Sequence, residues 1–275
     1  MSTVPTITLD NGVEIPQLGL GVWQVEDEIV TDVVKAAFAS GYRHIDTAAI
    51  YGNEEGVGRA IADSGLPRDE LFITTKVWNS DQGYDSTLRA FDASLGRLGL
   101  DSVDLYLIHW QALKKDKYVE TWKAFEQLYA DKRVRAIGVS NFHVPALQRL
   151  FDETDLRPAV NQIELHPSLP QDELRAFNAE NDIVTESWSP LASGGELLGD
   201  PTLKELADKH GKSPAQVVIR WHLQLGNVVI PKSRTPSRIA ENIDVFDFSL
   251  DNDDMAAIAD LETGVRTGGD PDTFG

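Results

Sequence analysis

Gly41 to Gly58 reads GYRHIDTAAIYGNEEGVG. His44-Ile45-Asp46 is a short apolar strand that ends on a carboxylate, the next residues form a loop carrying Tyr51, and Asn53-Glu54-Glu55 opens a helix with acidic residues in its first turn. An ionisable cluster thus sits where a strand hands over to a helix. In an α/β barrel that handover lies on the functional face. Working outward, the strand-then-helix pattern repeats from Gln17 onward. Strands are expected at Leu18–Gly21, His44–Asp46, Phe72–Val77, Val103–His109, Ala136–Ser140, Val160–Glu164, Ile183–Ser187 and Val228–Pro231. Helices are expected between them, two after the seventh strand, with one more over Asp251–Leu261. Eight such units fit a closed (β/α)8 barrel, the TIM-barrel class, better than an open sheet. Thr6–Leu9 and Val13–Ile15 flank Asp10-Asn11-Gly12, a hairpin signal ahead of the first unit. It is expected to plug the closed end. No linker divides the chain, so residues 1–275 read as one domain.

Composition narrows the partners. With 25 basic against 44 acidic residues the formal charge is −19, which opposes nucleic acid and anionic membrane. Any anion must be caught by a local basic cluster. The chain has no cysteine, which excludes disulfides and zinc-thiolate sites. MSTVPTITL lacks a basic segment followed by an apolar run, and no stretch approaches the ~20 apolar residues of a membrane span. A cytoplasmic, soluble protein is expected.

Strand alternation indicates which side chains share a face. Phe72, Thr74 and Lys76 lie on one side of the third strand, and Val103, Leu105, Leu107 and His109 on one side of the fourth. If those faces point inward, an apolar filling ends at one rim in Asp46, Lys76 and His109, with Tyr51 above. A phenol, with a pKa of about 10, needs a nearby cation to serve as an acid near neutrality. Lys76 would supply it, Asp46 would orient the ammonium, and His109 would place a carbonyl oxygen beside Tyr51. Each residue alone also fits a plainer role, Asp46 with Lys76 as an ion pair and Tyr51 as a loop aromatic. Their convergence favours chemistry on a carbonyl. His44 reads as a locally packed residue.

The second half supplies a basic patch. Ile230 to Arg238 reads IPKSRTPSR, with Thr235 at a helix N-cap and Pro236 at the first helical position. Backbone donors, the helix dipole, Lys232 and Arg238 would hold a phosphate. Glu241 and Asn242, three and four residues after Arg238, could hydrogen-bond a purine. Ser140, Asn141, Gln162 and Trp188 suit a nicotinamide, the first three by hydrogen bonding and the indole by stacking. No G-x-G-x-x-G follows a strand, so a Rossmann site is a poor fit. Trp23, Ala48, Trp78 and Trp110, just past strand ends, would wall an apolar substrate slot, and Lys114, Lys115 and Lys117 would draw an acidic sugar.

GYRHIDTAAIYGNEEGVG at 41–58, TTKVW at 74–78, DLYLIHW at 104–110, RAIGVSNF at 135–142, VNQIELHP at 160–167 and IPKSRTPSRIAENIDVF at 230–246 resemble, in order and across nearly the whole chain, the aldo-keto reductase family. The resemblance is greatest to small prokaryotic members similar to 2,5-diketo-D-gluconate reductases. It implies a barrel that binds NADPH extended, with Tyr51 as general acid, Lys76 and Asp46 tuning it, and His109 orienting an aldehyde, ketone, α-dicarbonyl or keto-sugar acid. It also implies that Ser140, Asn141 and Gln162 hold the carboxamide and that Lys232, Ser233 and Arg238 take the 2′-phosphate. Glu241 and Asn242 fall to the adenine, with Gly21 and Ser189-Pro190-Leu191 completing the coenzyme site. A monomer is expected. This chain departs from the family pattern at Trp188, where many relatives have Tyr, at Gln111–Lys115 in place of a Pro-containing turn, and in its short tail after Leu261. Two other readings compete: a metal-dependent barrel using His109, Glu164 and His166, and a coenzyme-loaded interaction module without turnover.

Overall fold

The repeating units close on themselves. The computed structural model describes residues 4–274. A hairpin, β1 (Thr6–Thr8) and β2 (Glu14–Pro16), pairs Ile7 with Ile15 around Gly12, whose φ of 81° is the left-handed geometry that favours glycine. The barrel strands are β3 (Leu20–Gly21), β4 (His44–Asp46), β5 (Phe72–Val77), β6 (Val103–Ile108), β7 (Val134–Ser140), β8 (Val160–Glu164), β9 (Val184–Trp188) and β10 (Val228–Val229). They run parallel in chain order. Leu18 bridges Val229 in parallel, and the Gly19 N–H donates to the Val229 carbonyl at 2.9 Å, so the last strand meets the first.

Helices cover the outside: α1 (Asp27–Ser40), α2 (Glu54–Asp63), α3 (Tyr84–Leu98), α4 (Tyr118–Ala130), α5 (Val144–Glu153), α6 (Asp172–Glu180), α7 (Pro201–His210), α8 (Pro214–Gln224), α9 (Pro236–Ile243) and α10 (Asn252–Ala259). All match the expected segments to within a few residues. The main core lies between barrel and helices, with Tyr106 and Ile108 turned outward into it. A smaller core fills the closed end inside the barrel, where Leu9 and Ile15 of the hairpin meet Phe72, Leu105, Leu107 and Val160. The hairpin is therefore a plug, and Phe72, Thr74 and Lys76 do share the inner face.

The glycines of the GNEEGVG run serve packing. A Cβ on Gly56 would lie 2.3 Å from Val30 Cγ1, and one on Gly58 2.4 Å from the Leu98 carbonyl oxygen, so α2 sits against both neighbours only because these residues lack side chains. Asn53 then fixes the loop before α2: its Nδ2 donates to the Val22 and Val25 carbonyls at 2.9 Å, and its Oδ1 accepts from Thr47 Oγ1 at 2.7 Å. Glu54 is buried and pairs with Arg97 of α3. Tyr51 is thereby held between two anchored points. Among the described residues no helix is long and apolar enough to cross a membrane.

Candidate active site

Tyr51 closes a single 3₁₀ turn, Ala49–Tyr51, above the ends of β4 and β5. Lys76 is fully buried; its Nζ donates to Asp46 Oδ1 at 2.6 Å and to the Thr47 carbonyl at 3.0 Å, and lies 5.3 Å from the Tyr51 ring centroid. Burial works against the Lys76 charge, but Asp46, Tyr51 and Glu186 outweigh it and raise the ammonium pKa, so Lys76 is a fixed cation. Tyr51 keeps part of its surface open to the cavity. Burial of the rest raises its phenol to about 12, Lys76 acting in the opposite direction without prevailing. In the free protein the phenol is thus protonated, a donor awaiting a basic oxygen. His109 packs edge-on against Tyr51 and Trp78, at ring-centroid separations of 5.6 and 5.1 Å. Burial, and then Lys76, hold it well below the ordinary imidazole pKa, so it is neutral and can donate a hydrogen bond without carrying charge.

Tyr51, His109 and Asp46 open on one cavity of about 1100 Å³ that runs across the barrel mouth to α9. Gly21, Ser140, Asn141, Gln162, Trp188, Ser189, Pro190, Leu191, Lys232, Ser233, Arg238, Glu241 and Asn242 all line it, as do Trp23, Trp78 and Trp110. Asn141 takes the left-handed conformation, φ 59°, and is tied on both sides: its Oδ1 accepts from Trp188 Nε1 at 2.8 Å, and its Nδ2 donates to the His109 carbonyl and to Ser140 Oγ, each at 3.0 Å. Gln162 Nε2 donates to Asp46 Oδ2 and Glu186 Oε2, both at 2.8 Å. Two carboxyl groups therefore fix which way the amide faces, and its carbonyl oxygen is left for the cavity.

These residues fit a dinucleotide. At the α9 end Lys232, Arg234 and Arg238 line the same cavity, and partial burial and the neighbouring Arg234 pull the Lys232 pKa down. Arg234 meanwhile donates to the Gln24 carbonyl and pairs with Glu26 at 3.1 Å across the groove. Thr235 is the N-cap and Pro236 opens α9, as expected, although the turn is tied by Ser233 Oγ accepting from the Thr235 N–H at 3.1 Å.

Three expectations change. Ala48 is fully buried and is not among the cavity-lining residues, because the anchored loop turns Ile50 and Tyr51 outward in its place. His44 is no locally packed bystander. It shares the inward face with Asp46, sits 3.1 Å from Thr74 Oγ1 and 3.7 Å from Glu186 Oε1, and burial drops its pKa to about 3. Glu164 and His166 do not assemble with His109 into a ligand set, and no metal-binding group of His, Asp and Glu occurs among the described residues. Glu164 instead holds the C-terminal tail: its Oε1 accepts from Thr267 Oγ1 at 2.7 Å and from His166 at 3.1 Å.

The short tail after Leu261 leaves the outer pocket wall open in the sequence, and in the structure the tail itself forms part of that wall. Gln111 donates to the Pro271 carbonyl at 2.9 Å and to Asp272 at 3.0 Å, and Phe274 lies 4.3 Å from Trp110 and 6.4 Å from Trp78 by ring centroids. A Cβ on Gly268 would lie 2.3 Å from Trp188 Cη2, so only glycine lets the tail lie on that indole. Glu186, Ile50 and Ser213 were also missed. Glu186 had a signal, since it is two residues from Trp188 on one strand face and is the register partner of Gln162.

A barrel whose mouth joins a buried lysine–carboxylate pair and a protonated phenol to a long basic groove defines a class of coenzyme-dependent oxidoreductase. The model of the aldo/keto reductase family matches residues 17–263, and the chain belongs to that family. It is 60% identical over 270 residues to an aldo-keto reductase of Mycolicibacterium smegmatis, covering 98% of each chain. It is 53% identical over 276 residues to the methylglyoxal reductase DkgA of Escherichia coli, covering all of both. Among solved structures, a mutant of Gox0644 in complex with NADPH superposes with a TM-score of 0.95 at 49% identity, again over the full length of both chains.

Proposed function

We propose that the whole chain, as one domain acting as a monomer, reduces aldehydes, ketones and short α-dicarbonyls with NADPH. The observation that carries this reading is the continuity of one cavity from Tyr51 and His109 to the Lys232–Arg238 cluster. Bound in the groove, NADPH supplies the hydride that the carbonyl carbon accepts. Neutral His109 donates to the carbonyl oxygen and holds it near Tyr51. As negative charge grows on that oxygen, the Tyr51 O–H transfers its proton to it, and Lys76 stabilises the phenolate left behind until solvent restores the proton. Gln162, with its N–H groups committed to Asp46 and Glu186, offers an acceptor to the carboxamide, and Trp188, tied to Asn141, offers a flat face. Lys232, Ser233 and Arg238 hold the 2′-phosphate, favouring NADPH over NADH. Support for small α-oxoaldehydes comes from the similarity to a methylglyoxal reductase, and the aromatic lining of Trp23, Trp78, Trp110 and Phe274 suits an apolar carbonyl. Keto-sugar acids are the larger substrates to test beside them.

The test is coenzyme oxidation followed by absorbance with a panel of these carbonyls, in the wild type and in Tyr51→Phe. Tyr51→Phe should lose roughly 10²–10⁴-fold in kcat, the range of one general acid, while NADPH affinity by fluorescence stays put. Full turnover without the hydroxyl would remove Tyr51 from the mechanism. Tight NADPH binding with no turnover on any carbonyl would favour the interaction module.

A further inference from the structure

Behind the proton donor, toward the plugged end, lies a second layer of buried polar groups. Glu186 of β9 and His44 of β4 are fully buried, and Gln162 of β8 nearly so. Glu186 Oε2 accepts from Gln162, whose other donation goes to Asp46, while Glu186 Oε1 has no hydrogen-bond partner and stands 3.7 Å from His44 Nε2. The titratable groups facing this carboxyl are Asp46 and His44 from β4, Lys76 from β5 and Tyr51 from the loop above. His44 is neutral there, so one ammonium faces two carboxyl groups. If both were ionised, the dry interior would hold an unbalanced negative charge, which is resolved by keeping one of them protonated.

We propose that Glu186 is a positioning residue of the reduction: a buried carboxyl that acts through Gln162 on the Asp46–Lys76 pair, and whose charge governs how readily Tyr51 releases its proton. Burial, reinforced by the charge of Asp46, holds this carboxyl well above the usual carboxylate range, so it is the protonated member of the two and ionises only on the alkaline side. An ionised Glu186 is one of the charges that hold the Tyr51 phenol high, and it competes with the developing phenolate for Lys76. The neutral acid leaves Lys76 to Asp46 and Tyr51. Glu186 touches neither substrate nor coenzyme; it fixes the face of Gln162 and the charge beneath the donor. The inference rests on Tyr51 being that donor.

The experiment is the pH profile of kcat for NADPH-dependent reduction in wild type, Glu186→Gln and Tyr51→Phe. The wild type should step down on the alkaline side to a lower plateau as Glu186 ionises, a loss of about tenfold for each unit by which its charge raises the Tyr51 pKa. Glu186→Gln, whatever its absolute rate, should lack that inflection and decline only at higher pH, with the KM for the carbonyl changed less than kcat. A Glu186→Gln profile that superimposes on the wild type in shape, with Tyr51→Phe inactive, overturns the role of Glu186 and leaves the donor intact. A fully active Tyr51→Phe overturns the donor itself. Should Glu186→Gln not fold, a carbon-13 carboxyl titration of the wild-type protein decides. One glutamate titrating far above the rest, its midpoint matching the kinetic inflection, supports the inference, and none doing so refutes it.

Discussion

Replacing Lys76 with Met keeps the length of the side chain and removes its charge, leaving Asp46 without the donor that now lies 2.6 Å from its Oδ1. Both partners are at most 3% exposed, so solvent compensates little for the lost contact. Breaking a buried ion pair from one side typically costs ~3–5 kcal/mol, more than the pair's net worth, because the remaining charge is stranded. In a domain of 275 residues that corresponds to a melting temperature lower by roughly 5–9 °C. Gln162 still donates to Asp46 Oδ2, which places the expectation toward the lower end. Adding Asp46→Asn removes the stranded charge and should recover most of the loss. The assay is a double-mutant cycle by urea or thermal denaturation, with kcat measured on each folded variant. Stability should return in the double variant while turnover does not, since Tyr51 has lost the cation beside it. Lys76→Met as stable as wild type, or a double variant no better than the single, would refute the account of the pair as a charge held in a dry interior.

Two further tests separate the halves of the cavity. If Arg238 holds the 2′-phosphate as proposed, Arg238→Ala removes a charged contact worth ~1.5–3 kcal/mol and should weaken NADPH binding roughly 10- to 150-fold while leaving NADH nearly unchanged; equal losses for both coenzymes would place Arg238 elsewhere. Phe274→Ala removes the ring 4.3 Å from Trp110 and should raise KM for apolar aldehydes about 2- to 12-fold with coenzyme affinity intact; a change in coenzyme affinity instead would show that the tail serves the groove.

What could be read from the chain divides along physical lines. The barrel strands alternate with a period of two, so Phe72, Thr74 and Lys76 could be placed on one face and Leu105, Leu107 and His109 on another, and both faces point inward. The same rule applied to β4 puts His44 beside Asp46, and applied to β9 puts Glu186 beside Trp188. Neither was drawn, because a buried titratable group with no evident partner reads as packing until the strands are in register. The tail escaped for a different reason. Asp270 to Phe274 has no periodicity, and its place is set by Gln111, His143 and Glu164, more than a hundred residues away. Ala48 failed because a small residue after a strand can turn either way, and the bonds of Asn53 decide which.

The polar ties at the mouth also bear on how the two functions of the cavity depend on each other. From Lys76 a hydrogen-bonded path runs through Asp46 to the side chain of Gln162. The Gln162 backbone carbonyl accepts from Ser140 Oγ at 2.8 Å, Ser140 Oγ accepts from Asn141, and Asn141 reaches both the His109 backbone and the Trp188 indole. The groups proposed to hold a nicotinamide are therefore tied to those that hold Lys76 beside Tyr51 and to the backbone of His109. Such a network is worth more intact than the sum of its pairs, because each bond fixes the orientation of the next. A change at Asn141 or Gln162 should thus reach kcat as well as coenzyme affinity, whereas a change at Arg238, outside the path, should reach affinity alone. Pre-organisation of the proposed acid and of the coenzyme face is thus one structural property of this barrel mouth, carried by the same buried bonds.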